Sequence, residues 1–510
     1  MKYYIGMDIG TSSTKAVLFD RLGHIHKMSS YEYDIIVPKN GYAEENPLEW
    51  KNAAFKVLKD LSEAVSADDI MGIGLSGQMH GLVLLDKDDN ILYNAIIWCD
   101  NRTDAETKQI EKFGIDKIRE ITGNNPMPAF TLAKLLWIRN NEPEIYSKID
   151  KIMLPKDYIR YVLTGEFKTE YSDASGMQLM DLKKEDYSSE LLNYFNIDRK
   201  ILPEIVNSSD ITGHILESVS KITNIKTNTF VVGGAGDQAA SAIGNSIVGF
   251  GDVSITLGSS GVVFATLKEL NIKNNGLQYF HHAIPNTYHV MGVTNGCGNS
   301  LKWYKENLCQ YEASLAKAEG VSSYDYITRN IDSIKAGCNG LIYLPYIMGE
   351  RTPNLDPNAT GMFIGIRNNT SKDMMTKSVI EGISYSMKDC YSLLGFNPSK
   401  VLISGGGAKN PKWCKILASM LNHSVSRVDI DEAGCLGVAI LAMVGDKIYT
   451  DVLDACKKII TIRDTFTPNV DDYRTYLKYF DVYKKLYKQN KILFEMEKEI
   501  RIKWKNILMA

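Results

Sequence analysis

The chain has 510 residues, of which 44% are hydrophobic and 23% are charged, and its net charge is −3. A chain of this length exceeds a single hydrophobic core and predicts two or three domains. The small net charge gives no electrostatic reason to expect nucleic acid or a membrane as a partner. Eight cysteines without a C-x-x-C pair argue against zinc sites and disulfides, and predict a cytoplasmic location.

Near the N-terminus, residues 5–17 (IGMDIGTSSTKAV) form an apolar segment, a turn that begins with glycine, and a second apolar segment. The same pattern recurs at residues 253–263 (VSITLGSSGVV). Glycine lets successive backbone N–H groups in such a turn point into one concavity, which binds phosphate. An ordinary β-hairpin explains a single copy. Repetition at a domain-sized interval, with Asp8 in the first copy, instead predicts a duplicated fold that grips one polyphosphate.

Strands alternate with helices along the first half of the chain, which is the pattern of α/β domains. Asn46 and Pro47 begin a helix, as its N-cap and its first residue. The elements that follow are a buried strand at 70–75 that ends in Ser76-Gly77-Gln78-Met79-His80, a strand at 96–98, a mostly helical region over 104–225, and a strand at 229–232 that leads through residues 233–238 into a helix.

The second turn begins just after residues 245–252, so we place a domain boundary there. The predicted units are an N-terminal domain over 1–248, a C-terminal domain over 249–450 and a helical extension over 451–510 packed on the second domain. A buried strand at 401–404 enters Gly405-Gly406-Gly407, where a flat ligand can lie against bare backbone.

Two common nucleotide-binding patterns do not apply. The chain contains no G-x-x-x-x-G-K-[ST] sequence, so it is no Walker-type NTPase. Gly234-Ala235-Gly236-Asp237 follows a strand and precedes a helix, as in a Rossmann domain. The carboxylate of Asp237 would, however, repel a pyrophosphate bound in that turn, so the Rossmann interpretation fails on charge.

Seven ordered segments between residue 3 and about residue 445 resemble the FGGY family of carbohydrate kinases. They are residues 7–12 (MDIGTS), 76–81 (SGQMHG), 131–137 (TLAKLLW), 154–158 (LPKDY), 234–237 (GAGD), 345–353 (PYIMGERTP) and 405–407 (GGG). The resemblance implies an α/β fold of two ribonuclease H-like domains, as in actin and hexokinase, with the active site in the cleft between them. Within the family, the chain is most similar to the members that act on xylulose.

The resemblance also implies roles for individual residues. Asp237 is expected to be the catalytic base, and Asp8 to be catalytic and to hold Mg²⁺ through water, with Asp237 as a second carboxylate at the metal. The implied sugar contacts are Met79, His80, Asp237, Gln238 and Trp98. The implied ATP contacts are Thr11, Ser12, Ser13, Lys15, Gly258, Ser259, Gly298, Gly406, Gly407, Ala408 and Asn410.

The implied reaction is magnesium-dependent transfer of the γ-phosphoryl group of ATP to the terminal hydroxyl of D-xylulose, and a homodimer is a further expectation. Gln238 departs from the Asn that many xylulose-specific members carry, and related kinases such as glycerol kinases have Gln there. Gluconate, ribulose and glycerol-like polyols therefore stay open as substrates. A non-catalytic sugar-sensing protein of the same fold is a remaining alternative, although both Asp8 and Asp237 are present.

Overall fold

The computed structural model describes residues 2–509, with side chains up to residue 501. Among these residues, no helix combines the length and the apolar character needed to span a membrane. The first half of the chain contains the strands β1 (Tyr3–Ile9), β2 (Ser13–Asp20), β3 (Ile25–Glu32), β4 (Glu44–Glu45), β5 (Ile70–Gly77), β6 (Val83–Leu85), β7 (Ala95–Ile96), β8 (Lys151–Met153), β9 (Lys168–Glu170), β10 (Met180–Asp181), β11 (Asp186–Tyr187), β12 (Glu204–Val206), β13 (Ile211–His214), β14 (Phe230–Val232) and β15 (Ala235–Gly236). Its helices are α1 (Pro47–Ser62), α2 (Asp104–Glu111), α3 (Ile115–Thr122), α4 (Thr131–Asn141), α5 (Pro143–Tyr146), α6 (Pro155–Thr164), α7 (Tyr171–Ala174), α8 (Ser189–Phe195), α9 (Glu217–Thr223) and α10 (Asp237–Gly244).

The second half continues the alternation. Its strands are β16 (Asp252–Leu257), β17 (Gly261–Leu267), β18 (Gln278–His281), β19 (Tyr288–Thr294), β20 (Ile342–Leu344), β21 (Met362–Ile364), β22 (Lys400–Ser404), β23 (Val425–Val428) and β24 (Ile462–Phe466). Its helices are α11 (Gly298–Leu308), α12 (Gln310–Glu319), α13 (Ser323–Thr328), α14 (Lys372–Ser392), α15 (Pro411–Leu421), α16 (Ala433–Gly445), α17 (Val452–Ile459) and α18 (Val470–Met509).

Two large mixed sheets have the same arrangement of strands. In the first, the order is β13-β14-β5-β1-β2-β3, and β15 also pairs with β5. In the second, the order is β18-β19-β17-β16-β22-β23-β24. Each sheet places an antiparallel set (β1-β2-β3 or β16-β17-β19) beside parallel strands (β5 and β14, or β22 and β23). The predicted duplication and the two-domain α/β fold are confirmed.

The first sheet is covered on both faces, which explains why β1 is an almost continuous apolar run. On one face, Trp50 and Val57 of α1 share a buried apolar cluster with Ile5 of β1. On the other face, Tyr4 packs in a cluster with residues of α10 and α16, including Ile440. Helix α16 lies between β23 and β24 of the second sheet in the chain but packs on the first sheet, so it joins the two halves.

Glycines let the backbones of α10 and α16 approach each other directly. A Cβ atom on Gly437 would lie 1.9 Å from the carbonyl oxygen of Ala240, and one on Gly244 would lie 1.8 Å from that of Ala433. Similar close contacts seat α16 on β1 through Gly6. Any side chain at these positions would force the two helices apart.

The C-terminal segment contacts the second sheet and its helices. Strand β24 pairs with β23 at the sheet edge. The side chains of α18 reach inward, where the hydroxyl of Tyr476 donates to Glu381 at 3.0 Å and that of Tyr346 donates to Tyr483 at 2.9 Å. The sequence predicts a helical extension over residues 451–510, and the structure has α17, the strand β24 and the long helix α18 in this segment.

Candidate active site

Asp237 is the first residue of α10, directly after β15, and its side chain is partly exposed. The pairing of β15 with β5 holds it beside Ser76 and Gly77 at the end of that strand. Burial from bulk water and the charge of Asp8 raise the pKa of Asp237 to about 7, against hydrogen bonds from Gln238 that lower it. A carboxylate with this pKa can accept a proton at neutral pH, as a general base must.

Asp8 lies on β1 in register with Ser76 of the neighbouring β5. Burial raises its pKa, while Ser76 and the charge of Lys15 oppose that shift. Among the described residues, its Oδ1 is buried without a hydrogen-bond partner. A buried carboxylate oxygen of this kind fits a divalent cation. Among the described side chains, residues 2–501, there is no group of three or more His, Cys, Asp or Glu suited to a metal, so phosphate or water must complete such a site.

The first turn, residues 10–13, is braced by its own backbone and by Tyr33. The amide of Gly10 donates to the carbonyl of Ser13 at 3.0 Å, and the hydroxyl of Tyr33 donates to the carbonyl of Gly10 at 2.6 Å. Beyond the turn, the ammonium of Lys15 donates to the Oε1 of Glu432 at 2.9 Å. This partner comes from the residue just before α16, so an ion pair closes the first turn against the helix from the other half.

A chain of hydrogen bonds connects this turn to Trp98, whose side chain is 43% exposed. Its indole N–H donates to the hydroxyl of Thr11 at 3.0 Å, and Thr11 donates to the Oε1 of Gln78 at 3.3 Å. Gln78 in turn donates to Glu45 at 2.8 Å. Burial raises the pKa of Glu45 to about 7. A hydrogen bond therefore joins the predicted sugar contact Trp98 directly to the predicted ATP contact Thr11.

His80 adopts a left-handed backbone conformation (φ 68°) three residues after β5. Lys134 stabilises it by donating to its carbonyl oxygen at 2.7 Å. Because the carbonyl of Gly176 can only accept, the 2.8 Å contact from Nδ1 means that Nδ1 carries the proton. Burial lowers the pKa of His80 to about 3, so the ring is neutral and its Nε2 is a hydrogen-bond acceptor.

The second half of the chain closes one side of this site. The ring of Phe280, on edge strand β18, lies 6.0 Å from that of His80 between centroids. The charge of Arg351 also acts on His80 and contributes to its lowered pKa. Met79 is buried beneath the Asp237 turn, where a Cβ atom on Gly236 would lie 3.0 Å from its Cγ.

The second turn, residues 258–260, lies against the N-terminus of α11. The amide of Gly298 donates to the carbonyl of Gly258 at 2.8 Å, and that of Asn299 donates to Ser259 at 3.0 Å. A side chain at residue 298 would collide with the Gly258 carbonyl at 2.5 Å. The structure thus brings together three of the predicted ATP contacts, namely Gly258, Ser259 and Gly298.

The three glycines at 405–407 have different surroundings. A Cβ atom on Gly405 would lie 2.7 Å from the Leu257 carbonyl, and one on Gly407 would lie 2.8 Å from the Leu257 Cβ. At Gly406 nothing lies within 4 Å. Two of the three glycines are therefore explained by packing against β16, and Gly406 alone adjoins open space.

Two further predicted ATP contacts have structural tasks. The Oδ1 of Asn410 accepts from the Lys412 amide at 2.9 Å as the N-cap of α15, and its Nδ2 donates to Thr328 at 2.9 Å. Ala408 is 3% exposed.

The sequence prediction gave no role to Glu45, Lys134 or Glu432. Gln78 and Lys134 fall within the segments that carry the resemblance, and this was the only signal in the sequence that pointed to their place in the site.

Two repeated α/β domains are joined by the crossing of α10 and α16, and Asp8 and Asp237 lie at the ends of two strands that both pair with β5. Together with the family match, this fold defines an ATP-dependent sugar phosphotransferase. The chain matches the FGGY family of carbohydrate kinases, its N-terminal domain over residues 3–244 and its C-terminal domain over residues 253–445. The chain belongs to this family.

Three similar proteins show the range of relatives. A protein named xylulose kinase from Lactococcus lactis subsp. lactis (strain IL1403) is 36% identical over 495 residues, which cover 96% of this chain and 97% of that protein. The structure of ligand-bound xylulose kinase from Lactobacillus acidophilus has a TM-score of 0.91 at 28% identity and covers 97% of this chain and 100% of that one. Gluconate kinase from Lactobacillus acidophilus has a TM-score of 0.90 at 28% identity and covers 96% and 98%.

Proposed function

We propose that the protein transfers the γ-phosphoryl group of ATP to the terminal hydroxyl of D-xylulose and releases D-xylulose 5-phosphate and ADP. The observation that carries this proposal is Asp237, partly exposed at the start of α10 with a pKa of about 7. The xylulose kinases among its relatives support the choice of sugar.

Asp237 accepts the proton of the attacking hydroxyl as the new oxygen–phosphorus bond forms and the bond to ADP breaks. His80 holds a second sugar hydroxyl through its unprotonated Nε2, because its Nδ1–H is already given to Gly176. Trp98 offers an exposed aromatic face beside the first turn. Phosphoryl transfer depends on positioning and charge stabilisation, and these residues supply positioning.

The backbone amides of the two turns and Lys15 are the groups proposed to hold the ATP phosphates, with Gly406 beside the adenosine. Asp8 is proposed to hold Mg²⁺, and its unpartnered Oδ1 fits that role. Mg²⁺, when bound, neutralises phosphate charge during transfer. A homodimer and a cytoplasmic location, both expected from the sequence, stay predictions, and sedimentation velocity would test the first.

A second candidate substrate is gluconate, because a gluconate kinase shares the fold at nearly the same TM-score. A coupled assay of kcat/KM across D-xylulose, L-xylulose, D-ribulose, gluconate and glycerol distinguishes the two. We expect D-xylulose to exceed every other acceptor by about tenfold or more. A higher value for gluconate would replace D-xylulose as the substrate without changing the reaction class.

The base is tested separately with Asp237→Asn, which nearly preserves shape and should fold. We expect kcat to fall about 10²- to 10⁴-fold, because the amide cannot accept the proton. The thermal unfolding midpoint serves as the control for folding. Turnover close to that of the wild type in a folded variant would contradict the assignment of Asp237.

A further inference from the structure

Behind the Asp237 turn lies a buried cluster of charged side chains. Lys156 pairs with Asp157 at 2.7 Å, with Asp173 at 3.1 Å and with Glu170 at 3.4 Å, and Arg160 pairs with Asp157 at 3.0 Å. Each of these five side chains is at most 1% exposed. Lys156 and Asp157 belong to the segment at 154–158, to which the proposed reaction gives no role.

The cluster holds three carboxyl groups and two cations. Burial together with the charges of Asp157 and Glu170 raises the pKa of Asp173. Buried ion pairs are weak evidence for stability, because desolvation offsets much of their attraction. The cluster therefore calls for an explanation other than stability.

Three backbone groups of the turn that precedes Asp237, at Gly233, Gly234 and Gly236, are hydrogen-bonded to this cluster directly or through a serine. Arg160 donates to the carbonyl of Gly233 at 2.9 Å. The amide of Gly234 donates to the carbonyl of Ser208 at 2.9 Å, and the Ser208 hydroxyl donates to Glu170 at 2.8 Å.

The hydrogen bond at Gly236 is the one nearest to the proposed base. The amide of Gly236, the residue before Asp237, donates to the Ser172 hydroxyl at 3.0 Å. That hydroxyl donates its own proton to Glu170 at 2.8 Å, which fixes its lone pairs toward Gly236. Ser172 is fully buried, so water cannot replace the bond. One carboxylate, Glu170, thus orients both serines that hold the turn.

We propose that Ser172, oriented by Glu170 of the buried charge cluster, is a positioning residue that sets the carboxylate of Asp237 for proton acceptance. This inference rests on the proposed role of Asp237 as the base. It also gives a role to Lys156 and Asp157, because Lys156 forms an ion pair with Glu170 and Asp157 forms one with Arg160. A rigid support of this kind matters since small displacements of a catalytic group strongly reduce its rate.

The test is a double-mutant cycle on kcat with Ser172→Ala, Asp237→Asn and the double variant. Ser172→Ala should lower kcat by about tenfold or more and leave the KM values for sugar and ATP within about threefold. In the Asp237→Asn background the same change should cost less than about threefold, because Ser172 acts through Asp237. Ser62→Ala, which removes another buried hydroxyl at the end of α1, should leave kcat unchanged.

Three results would overturn the inference. The first is a kcat of Ser172→Ala within twofold of the wild type, and the second is a full multiplicative loss in the double variant, as a general structural role would give. The third is a near-wild-type kcat for Asp237→Asn. That result would contradict the proposed base itself, and it differs from a failure of the inference about Ser172 because it is seen in the Asp237→Asn variant alone. If Ser172→Ala fails to fold, the same cycle with Ser208→Ala decides, with an expected loss of about three- to tenfold that is masked in Asp237→Asn.

Discussion

The indole N–H of Trp98 donates a hydrogen bond to the hydroxyl of Thr11 at 3.0 Å. Because Thr11 gives its only hydroxyl proton to Gln78, the oxygen that receives Trp98 acts as an acceptor alone. While these bonds persist, the Thr11 side chain has no proton to offer a phosphate. Thr11 therefore links Trp98, a proposed sugar contact, to the first turn, and the donor that Thr11 would offer to a phosphate in the proposed site is its backbone amide.

The first prediction concerns Thr11→Val, which keeps the shape of the side chain and removes both hydrogen bonds. We expect the KM for D-xylulose to rise by about three- to tenfold, because Trp98 loses its anchor and Gln78 loses its donor. Thr11→Ser is the matched control and should stay within about twofold, since it keeps the hydroxyl. An unchanged KM in Thr11→Val, measured by steady-state kinetics, would show that the bond does not orient Trp98.

The second prediction is that Asp8→Asn separates catalysis from sugar binding. The change removes the carboxylate that faces the first turn, so kcat should fall by about 10²-fold or more. The affinity for D-xylulose without nucleotide, measured by calorimetry, should stay within about twofold. A loss of sugar affinity with catalysis retained at saturating sugar would place Asp8 in the sugar site instead.

The third prediction follows from the pKa of Asp237, which burial and Asp8 raise to about 7. The base must be ionised to accept a proton, so kcat/KM for the sugar should rise with pH with a midpoint near pH 7 and level off about one pH unit above it. His80, with a pKa of about 3, should add no further step between pH 5 and pH 9. A profile that is flat from pH 5 to pH 9 would contradict the raised pKa.

Asp8→Asn provides the control for this profile. Removing the negative charge near Asp237 relieves its repulsion, so the midpoint of the rise should move to lower pH. A higher enzyme concentration in the assay compensates for the expected loss of activity in this variant. A midpoint that moves upward would mean that Asp8 does not act on Asp237 through its charge.

The duplicated fold could be predicted because its signals are local. The Gly-Thr-Ser-Ser turn, the second turn at 258–260 and the alternation of strands and helices are all visible within short windows of sequence. The seven family segments then named His80 and Asp237 as candidate site residues. The sequence did not separate Gly406 from its neighbours, because the contact of Gly405 and Gly407 with Leu257 depends on the pairing of two distant strands.

The supporting bonds of the site could not be predicted for the same reason. Ser172 and Gly236 meet only after the turn folds back onto α7, and Lys15 meets Glu432 only after α16 crosses to the first sheet. Each residue alone is an ordinary serine or charged side chain. Their partners follow from tertiary packing, for which periodicity and motif spacing give no signal.

The fourth prediction concerns the ion pair between Lys15 and Glu432. Both side chains are partly exposed, at 39% and 23%, so the pair contributes little to stability. In the proposed nucleotide site, Glu432 and an ATP phosphate would compete for the Lys15 ammonium. Glu432→Gln should therefore lower the KM for ATP by about two- to fivefold at low salt, and the difference should shrink at high salt.

Lys15→Met is the companion variant and should raise the KM for ATP, since it removes the cation itself. Steady-state kinetics at two ionic strengths measures both variants. If Glu432→Gln instead raised the KM for ATP, Glu432 would assist nucleotide binding rather than compete with it.

The last prediction tests the crossing of α10 and α16 with two glycines of one helix. Gly437→Ala places a methyl group 1.9 Å from the Ala240 carbonyl oxygen, a backbone atom that cannot move without displacing α10. At Gly434, the nearest atom to an added Cβ is the Ser241 Oγ at 3.6 Å, an ordinary contact. Overpacking of this kind costs about 1–3 kcal/mol or more, whereas an unhindered Gly→Ala change within a helix gains about 0.5–1 kcal/mol.

We therefore expect Gly437→Ala to lower the thermal unfolding midpoint and Gly434→Ala to leave it unchanged or raise it. Because α16 seats on β1 and also crosses α10, the first variant should lose kcat as well, through displacement of the helix that begins with Asp237. Scanning calorimetry and steady-state kinetics measure the two effects. Equal midpoints for both variants would mean that the helices separate easily, and the crossing would then not hold the two halves of the protein together.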